Sequence, residues 1–229
     1  MPVELTWLGH ATWQLKTQSH TLLVDPFLDD NPAAPVKSKD VAADFLLCSH
    51  GHFDHVADAA KIASRTGGMV ISNYEICQWF AKQGVKSTLG MNLGGSASLP
   101  FGRVKLTLAF HSSELPDGSY GGNPGGFLIS LTGGPKIYFA GDTALFGDMQ
   151  LIGGAGIDVA VLPIGDLFTM GPEDSVLATK LLRPKHVIPS HYNTWPPISQ
   201  DPQVWAKMIR SGTTAAPIVL KPGETFRIP

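Results

Sequence analysis

The stretch "SHGHFDHV", residues 49–56, decides how this chain is interpreted, because it holds four metal-ligand side chains within six positions. These side chains are His50, His52, Asp54 and His55. In an extended turn the first two point to one side, whereas the last two lie further on. Imidazole nitrogen and carboxylate oxygen are ligands of Zn²⁺ and of other borderline divalent ions. Four ligands from so short a loop exceed what one tetrahedral ion accommodates, so the spacing predicts two metal ions.

Other apolar strand candidates also run directly into a histidine or an aspartate. The segments and the residues that follow them are "VELTWLG" with His10, "HTLLV" with Asp25, "VKLTLAF" with His111, "KIYFAG" with Asp142, and "HVIPS" with His191. α/β proteins place their sites at the carboxyl ends of strands. A single histidine at a strand end is more often satisfied by a hydrogen bond than by a metal. Together with residues 49–56, however, the strand ends predict one polar rim.

Short β-rich runs dominate the sequence and alternate with four helix candidates. The predicted helices are Val56–Thr66, Tyr74–Gln83, Pro172–Leu182 and Pro202–Ser211. The Gly-rich stretches 121–126 and 153–156 are predicted loops, and "APIVLK", residues 216–221, is a predicted strand. The segments "ATWQLKTQSHTLLVDP" and "FLISLTGGPKIYFAGDT" share a pattern of strand, turn, strand and Asp, and each precedes another Asp-led strand. This weak duplication predicts two sheets packed face to face with helices outside.

Composition places limits on the class of protein. The 229 residues are 43% hydrophobic and contain no linker-like segment, so we expect one domain over residues 1–229. A formal charge of −2 without a local Lys/Arg cluster argues against nucleic acid as a partner. No signal sequence and no long apolar run is found, so we expect a cytoplasmic protein that does not bind a membrane. Cys48 and Cys77 lie in apolar contexts and are predicted to be buried, reduced thiols.

The residues that carry a family resemblance are the motif His-x-His-x-Asp-His at positions 50–55 and the later landmarks His111, Asp142 and His191. With "TWLGHAT", "DPFL", "GDTALFGDM" and "IPSHYNTWPPI", they resemble the metallo-β-lactamase fold superfamily over essentially the whole chain. Within it, the chain is similar to a group of uncharacterised metal-dependent hydrolases. That group is akin to ascorbate-6-phosphate lactonase and, more distantly, to N-acylphosphatidylethanolamine phosphodiesterases.

The resemblance implies an α/β fold, a four-layer αββα sandwich of two mixed sheets with the site at one edge. It further implies that one metal is held by His50, His52 and His111, that the other is held by Asp54, His55 and His191, and that Asp142 bridges the pair. The expected cofactors are two divalent ions, most simply Zn²⁺, with Mn²⁺, Fe²⁺ or Ni²⁺ as alternatives.

Residues beside these positions have more than one interpretation. His10 could orient a ligand, face substrate or satisfy the core, and Asp25 is expected to support a metal-bound histidine. Asp166 could line the pocket or cap a turn. Asn193 and Thr194 could contact substrate, although turn chemistry explains them equally well. His20 and His186 are predicted to be structural.

Two metal ions can share a water molecule, lower its pKa and polarise the bond that it attacks, so a bridging hydroxide would hydrolyse substrate without a protein nucleophile. Candidate catalytic residues are Asp54, Asp142 and His10, and the leaving-group proton could come from Asp142, His10 or a water. The expected substrate is a small ester, lactone or phosphodiester. A nuclease of the same fold and a non-enzymatic metal-binding protein are the alternatives. The sequence leaves the substrate, the native metal and the oligomeric state open, and an oligomer is possible.

Overall fold

The structure, a computed structural model, describes residues 3–229 and contains fourteen strands and six α-helices in that range. The strands are β1 (Val3–Trp7), β2 (Trp13–Lys16), β3 (Thr21–Val24), β4 (Phe45–Leu47), β5 (Met69–Asn73), β6 (Thr88–Met91), β7 (Ser96–Leu99), β8 (Gly102–Leu108), β9 (Gly125–Leu131), β10 (Lys136–Phe139), β11 (Val159–Pro163), β12 (His186–Ser190), β13 (Ala216–Pro217) and β14 (Thr225–Ile228). The helices are α1 (Phe53–Val56), α2 (Ala59–Thr66), α3 (Tyr74–Lys82), α4 (Met149–Gly153), α5 (Pro172–Leu182) and α6 (Pro202–Gly212). Two short 3₁₀ helices cover Ser38–Asp40 and Pro196–Ile198.

The strands form two mixed sheets of seven strands each, in the orders β14-β1-β2-β3-β4-β5-β6 and β13-β12-β11-β10-β9-β8-β7. In the first sheet, pairing is antiparallel from β14 to β3 and parallel from β3 to β6. The second sheet repeats this scheme, antiparallel from β7 to β10 and parallel from β10 to β13. The αββα sandwich predicted from the sequence is therefore confirmed.

Alternating side chains along each strand separate the inner core from the outer layers. In β4, Phe45 and Leu47 pack into the core between the sheets, whereas Leu46 packs with the helices outside. That outer cluster includes Ile62 of α2 and Phe80 of α3. A strand places successive side chains on opposite faces, so an uninterrupted apolar run such as "FLL" is buried on both.

The internal duplication has a structural counterpart at the start of two equivalent strands. Oδ2 of Asp44 accepts the backbone N–H of Thr21 at 2.8 Å, and Oδ2 of Asp158 accepts that of Lys136 at 2.8 Å. Thr21 begins β3 and Lys136 begins β10, which are the fourth strands from β14 and from β7 in their respective sheets. The Asp-led strands β4 and β11 are thus attached to their neighbours in the same way.

The predicted helix Val56–Thr66 is wrong in its bounds, because the structure has two helices, α1 and α2, with a break at residues 57–58. The carboxylate of Asp58 accepts the backbone N–H groups of Leu28 and Asp29 at 2.7 and 3.0 Å. The N–H of Asp58 donates to the carbonyl of Pro26 at 3.0 Å. These bonds hold the loop after β3 against the helical region, and the helix is interrupted to make them.

Other differences concern glycines and edges. Residues 125 and 126, predicted as loop, begin β9, where a Cβ at Gly126 would lie 2.6 Å from the carbonyl oxygen of Phe139. The missing side chain lets adjacent strands approach.

The predicted strand 216–221 is shortened to β13, an edge strand whose Pro217 has no N–H to donate. α4, β6, β7 and β14 were not predicted. The helices α3, α5 and α6 agree with their predictions to within one residue.

Seven strands deliver polar side chains to the same edge of the sandwich. The residues that follow β1, β3, β4, β8, β10, β11 and β12 are His10, Asp25, His50, His111, Asp142, Asp166 and His191, respectively. Within residues 3–229, no helix is both long enough and apolar enough to cross a membrane.

Candidate metal centre

Three histidines from two strand ends form the first ligand group. His50 and His52 follow β4, and His111 follows β8. Nε2 of His50 lies 2.9 Å from Nδ1 of His52, and ring centroids of His111 lie 5.0 Å from those of both other residues. Each residue offers one nitrogen within 4.8 Å of the others, which suits one metal ion. The structure brings together the three residues assigned to one ion.

The second group contains Asp54 and His55 from α1, His191 after β12, and also His10 after β1. Oδ2 of Asp54 lies 3.8 Å from Nε2 of His55 and 3.7 Å from Nε2 of His191. The one-turn helix α1 makes this arrangement possible, since it turns Asp54 and His55 inward directly after the extended His52. All three expected ligands of the second ion are therefore close together.

Asp142 lies between the two groups, near the start of the loop that follows β10. Its Oδ2 lies 3.0 Å from Nε2 of His191 and 3.3 Å from Nε2 of His55. The same oxygen lies 3.7 Å from Nε2 of His111 in the first group. Asp142 also forms a ligand set with His50 and His55. This central position is the one that a bridging carboxylate requires.

Asp25 belongs to none of the candidate ligand groups but supports a member of one. Its Oδ2 accepts the Nδ1–H of His55 at 2.9 Å, which leaves Nε2 of His55 directed toward Asp142. Ser49 donates both its backbone N–H and its hydroxyl to the Asp25 carboxylate, each at 2.7 Å. A carboxylate behind a ligating histidine sets its tautomer and its basicity. Asp25 thus occupies the supporting position expected for it.

His10 plays a similar part behind Asp54. Its Nε2 lies 2.9 Å from Oδ2 of Asp54, and its Nδ1 lies 2.8 Å from Oγ1 of Thr194. Burial and repulsion from His191 lower the pKa of His10 to about 4, so its ring is neutral at pH 7. A neutral ring donates Nε2–H to the carboxylate and accepts the Thr194 hydroxyl hydrogen at Nδ1. Both nitrogens are engaged within the protein, and the residue is fully buried.

Burial and charge act in opposite directions on the second group. Burial alone would raise the pKa of Asp54 and Asp142, but the neighbouring imidazoles hold both pKa values below the ordinary range. Burial would lower the pKa of His55 and His191, but Asp142 raises both, that of His191 to about 9. By contrast, burial lowers the pKa values of the three histidines in the first group, His50, His52 and His111. In the metal-free chain, protons on two imidazoles therefore balance the carboxylates.

The donor atoms of these residues fit divalent cations. Four buried atoms of the centre lack a hydrogen-bond partner, namely Nε2 of His55, Nδ1 and Nε2 of His191, and Oδ1 of Asp142. Leaving such atoms unpaired costs free energy, which a cation between them would recover. A divalent ion could replace the protons on His55 and His191 and neutralise the buried carboxylates. The donors are imidazole and carboxylate without thiolate, which suits Zn²⁺, Mn²⁺, Fe²⁺ or Ni²⁺.

Several rim residues have a left-handed backbone conformation, which residues other than glycine rarely adopt. Their φ angles are 53° at His10, 46° at Asp25, 64° at Asp166, 54° at His191 and 58° at Asn193. Strain of this kind costs about 1–3 kcal/mol per residue and clusters at functional sites. In this protein the strained residues lie where the chain turns sharply after a strand and directs side chains along the rim.

A cleft of about 630 Å³ opens above the centre and is lined by Asp54, Asp142, His52, His111 and His191. Its volume is that of a small-molecule site. His10 does not line it, so direct contact between this residue and a substrate in the cleft is not part of the geometry. Asp54 and Asp142 are the two candidate catalytic residues that reach the cleft.

The remaining predicted residues lie outside the cleft. Asp166 and Asn193 are exposed turn residues, and Oδ1 of Asn193 accepts the N–H of Gln200 at 2.7 Å. Thr194 is buried against His10 rather than facing substrate. His20 contacts Phe45 and Phe101, and His186 packs on Phe226, both away from the ligand groups. Cys48 and Cys77 are buried free thiols, as predicted.

Sequence reasoning missed the aromatic side chains of the cleft wall and one hydrogen-bonding partner. Phe53, Phe168 and Trp195 line the cleft, and Ser49 supports Asp25. One signal was present for Phe53, which lies between His52 and Asp54 in the motif and therefore beside the centre. Nothing in the local sequence of Phe168 marks its position.

Comparison with known proteins identifies the family of this chain. The family described as beta-lactamase superfamily domain matches residues 4–191. A UPF0173 metal-dependent hydrolase of Thermus thermophilus is 48% identical over 226 residues, covering 99% of both chains. Another from Desulforamulus reducens is 48% identical over 231 residues, covering 99% of this chain and all of the relative.

Among solved structures, Igni18, a metallo hydrolase of Ignicoccus hospitalis, superposes with a TM-score of 0.89 and 38% identity, covering 99% of this chain and 98% of that one. The family match spans most of the chain, and the relatives match over nearly their whole lengths. The chain therefore belongs to the metallo-β-lactamase superfamily, in the group of UPF0173 metal-dependent hydrolases.

Proposed function

We propose that this protein is a binuclear metal-dependent hydrolase of a small ester, lactone or phosphodiester. The observation that carries the proposal is the position of Asp142, whose Oδ2 lies within 3.7 Å of ligand nitrogens in both groups. His50, His52 and His111 would hold one divalent ion, while Asp54, His55 and His191 would hold the other. Asp142 would be shared. Zn²⁺ is the expected metal.

When bound, two such ions supply a water of lowered pKa and polarise the carbonyl or phosphoryl oxygen under attack. The chain's own residues position this chemistry. Asp25 keeps Nε2 of His55 aimed at the centre, and His10 holds Oδ2 of Asp54 by donating to it. The same Oδ2 lies 3.8 Å from Nε2 of His55 and 3.7 Å from Nε2 of His191. Because Asp54 lines the cleft and its lowered pKa keeps it ionised, it is suited to bind a cation and to orient a water by accepting its hydrogen bond.

His10 is then a positioning residue rather than a proton donor to substrate. Its two nitrogens are engaged by Asp54 and Thr194, and no part of its surface is exposed. A proton could leave His10 only through Asp54. Asp142, with its carboxylate directed among four histidines, is expected to act as a shared ligand rather than as the acid.

The alternatives receive less support. A nuclease needs cations along the substrate path, and neither lysine nor arginine is among the residues that line the cleft in the described chain, 3–229. A purely metal-storing protein has no need for the open cleft above the ligands. The proposal keeps a small molecule as partner.

The deciding experiment combines metal analysis with a substrate panel. Protein purified without chelator is analysed by inductively coupled plasma mass spectrometry and assayed on bis(p-nitrophenyl) phosphate, several lactones, aryl esters and a labelled tRNA precursor. About two ions per chain and chelator-sensitive hydrolysis of small substrates are expected. Fewer than one ion after reconstitution contradicts the binuclear centre, and efficient tRNA cleavage supports the nuclease instead.

A further inference from the structure

The cleft above the metal centre is lined by apolar and acidic side chains. Apart from ligands, its apolar wall consists of Phe53, Leu115, Pro116, Phe168 and Trp195. Its polar contributions are the Ser112 hydroxyl and the Glu114 carboxylate. No lysine or arginine lines the cleft in the part of the chain that the structure describes. The wall therefore offers hydrophobic contact and negative charge.

The aromatic wall is built into the metal-binding motif. Phe53 separates His52 from Asp54, and its ring points outward, with 54% of the residue exposed. The ring lies edge-on to Phe27 at 5.7 Å and tilted against Trp195 at 6.2 Å. Since its neighbours in the chain are ligands, Phe53 is fixed at a short distance from the reacting bond.

Phe168 lies in the loop between β11 and α5 and forms another part of the apolar wall. It is 55% exposed, and the adjacent Leu167 is 67% exposed. Large apolar side chains exposed together at the mouth of a cleft mark a surface that a ligand covers. The apolar surfaces of Phe53 and Phe168 thus line the same cavity and are open to solvent.

The charge pattern restricts the substrate further. Two divalent ions would stabilise charge that develops at the reacting group, but the rest of the substrate meets only the wall. A distal phosphate or carboxylate would lie near Glu114 with no arginine or lysine to pair with it. Sites for phosphoryl groups normally supply such cations. The cleft is therefore unsuited to a sugar phosphate or to a substrate with an anionic tail.

Resting on the proposed hydrolase function, we propose that the substrate is an uncharged carboxylic ester or lactone whose acyl part is an alkyl chain or an aromatic ring. Hydrolysis forms a bond from the water oxygen to the carbonyl carbon and breaks the acyl C–O bond. The leaving oxygen takes up a proton, and the products are a carboxylic acid and an alcohol, joined as one hydroxy acid when the substrate is a lactone.

The first test is a chain-length series with the metal-loaded protein. For p-nitrophenyl esters from acetate to octanoate, kcat/KM should rise by about fourfold per methylene until the cleft is filled, because each buried methylene adds a constant increment of binding. Alkyl-substituted γ-lactones should follow the same order. Values of kcat/KM that do not change with chain length overturn the inference.

The second test compares charge at constant length. The p-nitrophenyl pentanoate should be hydrolysed with a kcat/KM at least about tenfold above that of p-nitrophenyl hemiglutarate, because the hemiglutarate carboxylate finds no partner. Glu114→Lys should narrow this ratio by about two- to fivefold. A preference of the unmodified protein for hemiglutarate, or for bis(p-nitrophenyl) phosphate over the esters, contradicts the inference.

The third test asks whether Phe168 contacts the acyl part of the substrate. Phe168→Ala should reduce the ratio of kcat/KM between octanoate and acetate, whereas Leu151→Ala should leave it within error. Leu151 is a suitable control because it is 76% exposed on α4 and does not line this cleft. Equal ratios in the two variants show that Phe168 does not contact substrate and overturn its part in the wall.

The outcomes separate this inference from the function beneath it. Hydrolysis that favours anionic or short substrates retains the proposed function and removes the apolar-substrate inference. Absence of hydrolysis on every compound, with two ions bound, overturns the proposed function and this inference together.

Discussion

Oδ2 of Asp25 accepts the Nδ1–H of His55 at 2.9 Å, and the opposite nitrogen of the same ring lies 3.3 Å from Asp142. One imidazole thus connects a buried carboxylate behind the centre with the carboxylate in the middle of it. These two carboxylates, Asp25 and Asp142, follow β3 and β10, which occupy equivalent places in the two sheets. The orientation of a ligand is therefore decided by a residue 30 positions away.

Asp25→Asn should lower the affinity for the second metal ion by about 10- to 100-fold, because a neutral amide supports the His55 imidazole less well than a carboxylate does. Asparagine tolerates the positive φ of 46° at this position, so the backbone should be retained. Competition with a fluorescent chelator measures the affinity. Asp44→Asn is the matched control, since it removes a carboxylate that bonds only a strand end. Equal affinities in the two variants would show that Asp25 does not tune the site.

Asp142→Ala should release both ions and reduce kcat/KM by at least about 100-fold, more than the loss of an outer partner costs. The reason is that its Oδ2 lies close to ligand nitrogens of both groups. Metal content per chain and activity are measured on the same preparation. His186→Ala should retain two ions, because that ring packs on Phe226 away from the centre. Loss of a single ion from the Asp142 variant would assign this carboxylate to one metal only.

Thr194→Val should destabilise the metal-loaded protein by about 1–3 kcal/mol, because it leaves Nδ1 of His10 buried without a hydrogen-bond donor. Denaturation by urea measures the change in the free energy of unfolding. Thr179→Val, which removes a hydroxyl that bonds a carbonyl within α5, should cost less. If Thr194 contacted substrate instead, the substitution would raise KM and leave stability near that of the unsubstituted protein.

Metal affinity should weaken as the pH falls below about 9, because His191 in the metal-free chain has a pKa of about 9 and must lose its proton to bind. The expected loss is about tenfold per pH unit for this proton alone. Calorimetric titration of chelator-treated protein in buffers of different ionisation enthalpy measures the released protons. Release of no protons at pH 7 would contradict the charged state assigned to His191.

The raised pKa of His191 also predicts how the stability of the metal-free protein depends on pH. The folded-state pKa of His191 is raised from 6.5 to about 9, so its stabilising contribution is complete below pH 6.5 and is lost as the pH rises through 9. The Tm of chelator-treated protein should therefore fall between these two pH values. Metal-loaded protein should show a smaller change, because imidazoles bound to metal stay neutral over this range. A Tm of the metal-free protein that rises with pH would exclude this account.

Local sequence was sufficient to predict the candidate ligand groups and the layered fold. The motif from His50 to His55 follows a strand, and apolar runs lead into His111, Asp142 and His191, so the convergence of strand ends could be predicted. The duplicated pattern of strand, turn, strand and Asp also predicted two similar sheets. Helix α5 begins and ends where its proline, acidic first turn and apolar positions indicated. In each case the signal lies within a few residues of the feature.

Only the tertiary structure decided the roles of His10 and Thr194 and which aromatic side chains line the cleft. Thr194 looked as suitable for substrate as for a turn, yet it bonds His10, 184 positions away. Phe168 and Phe53 share a cavity although they come from different halves of the chain. Such contacts depend on how two sheets stack and on where loops cross the rim. Because packing between distant segments is a property of the whole core, no window of sequence contains it.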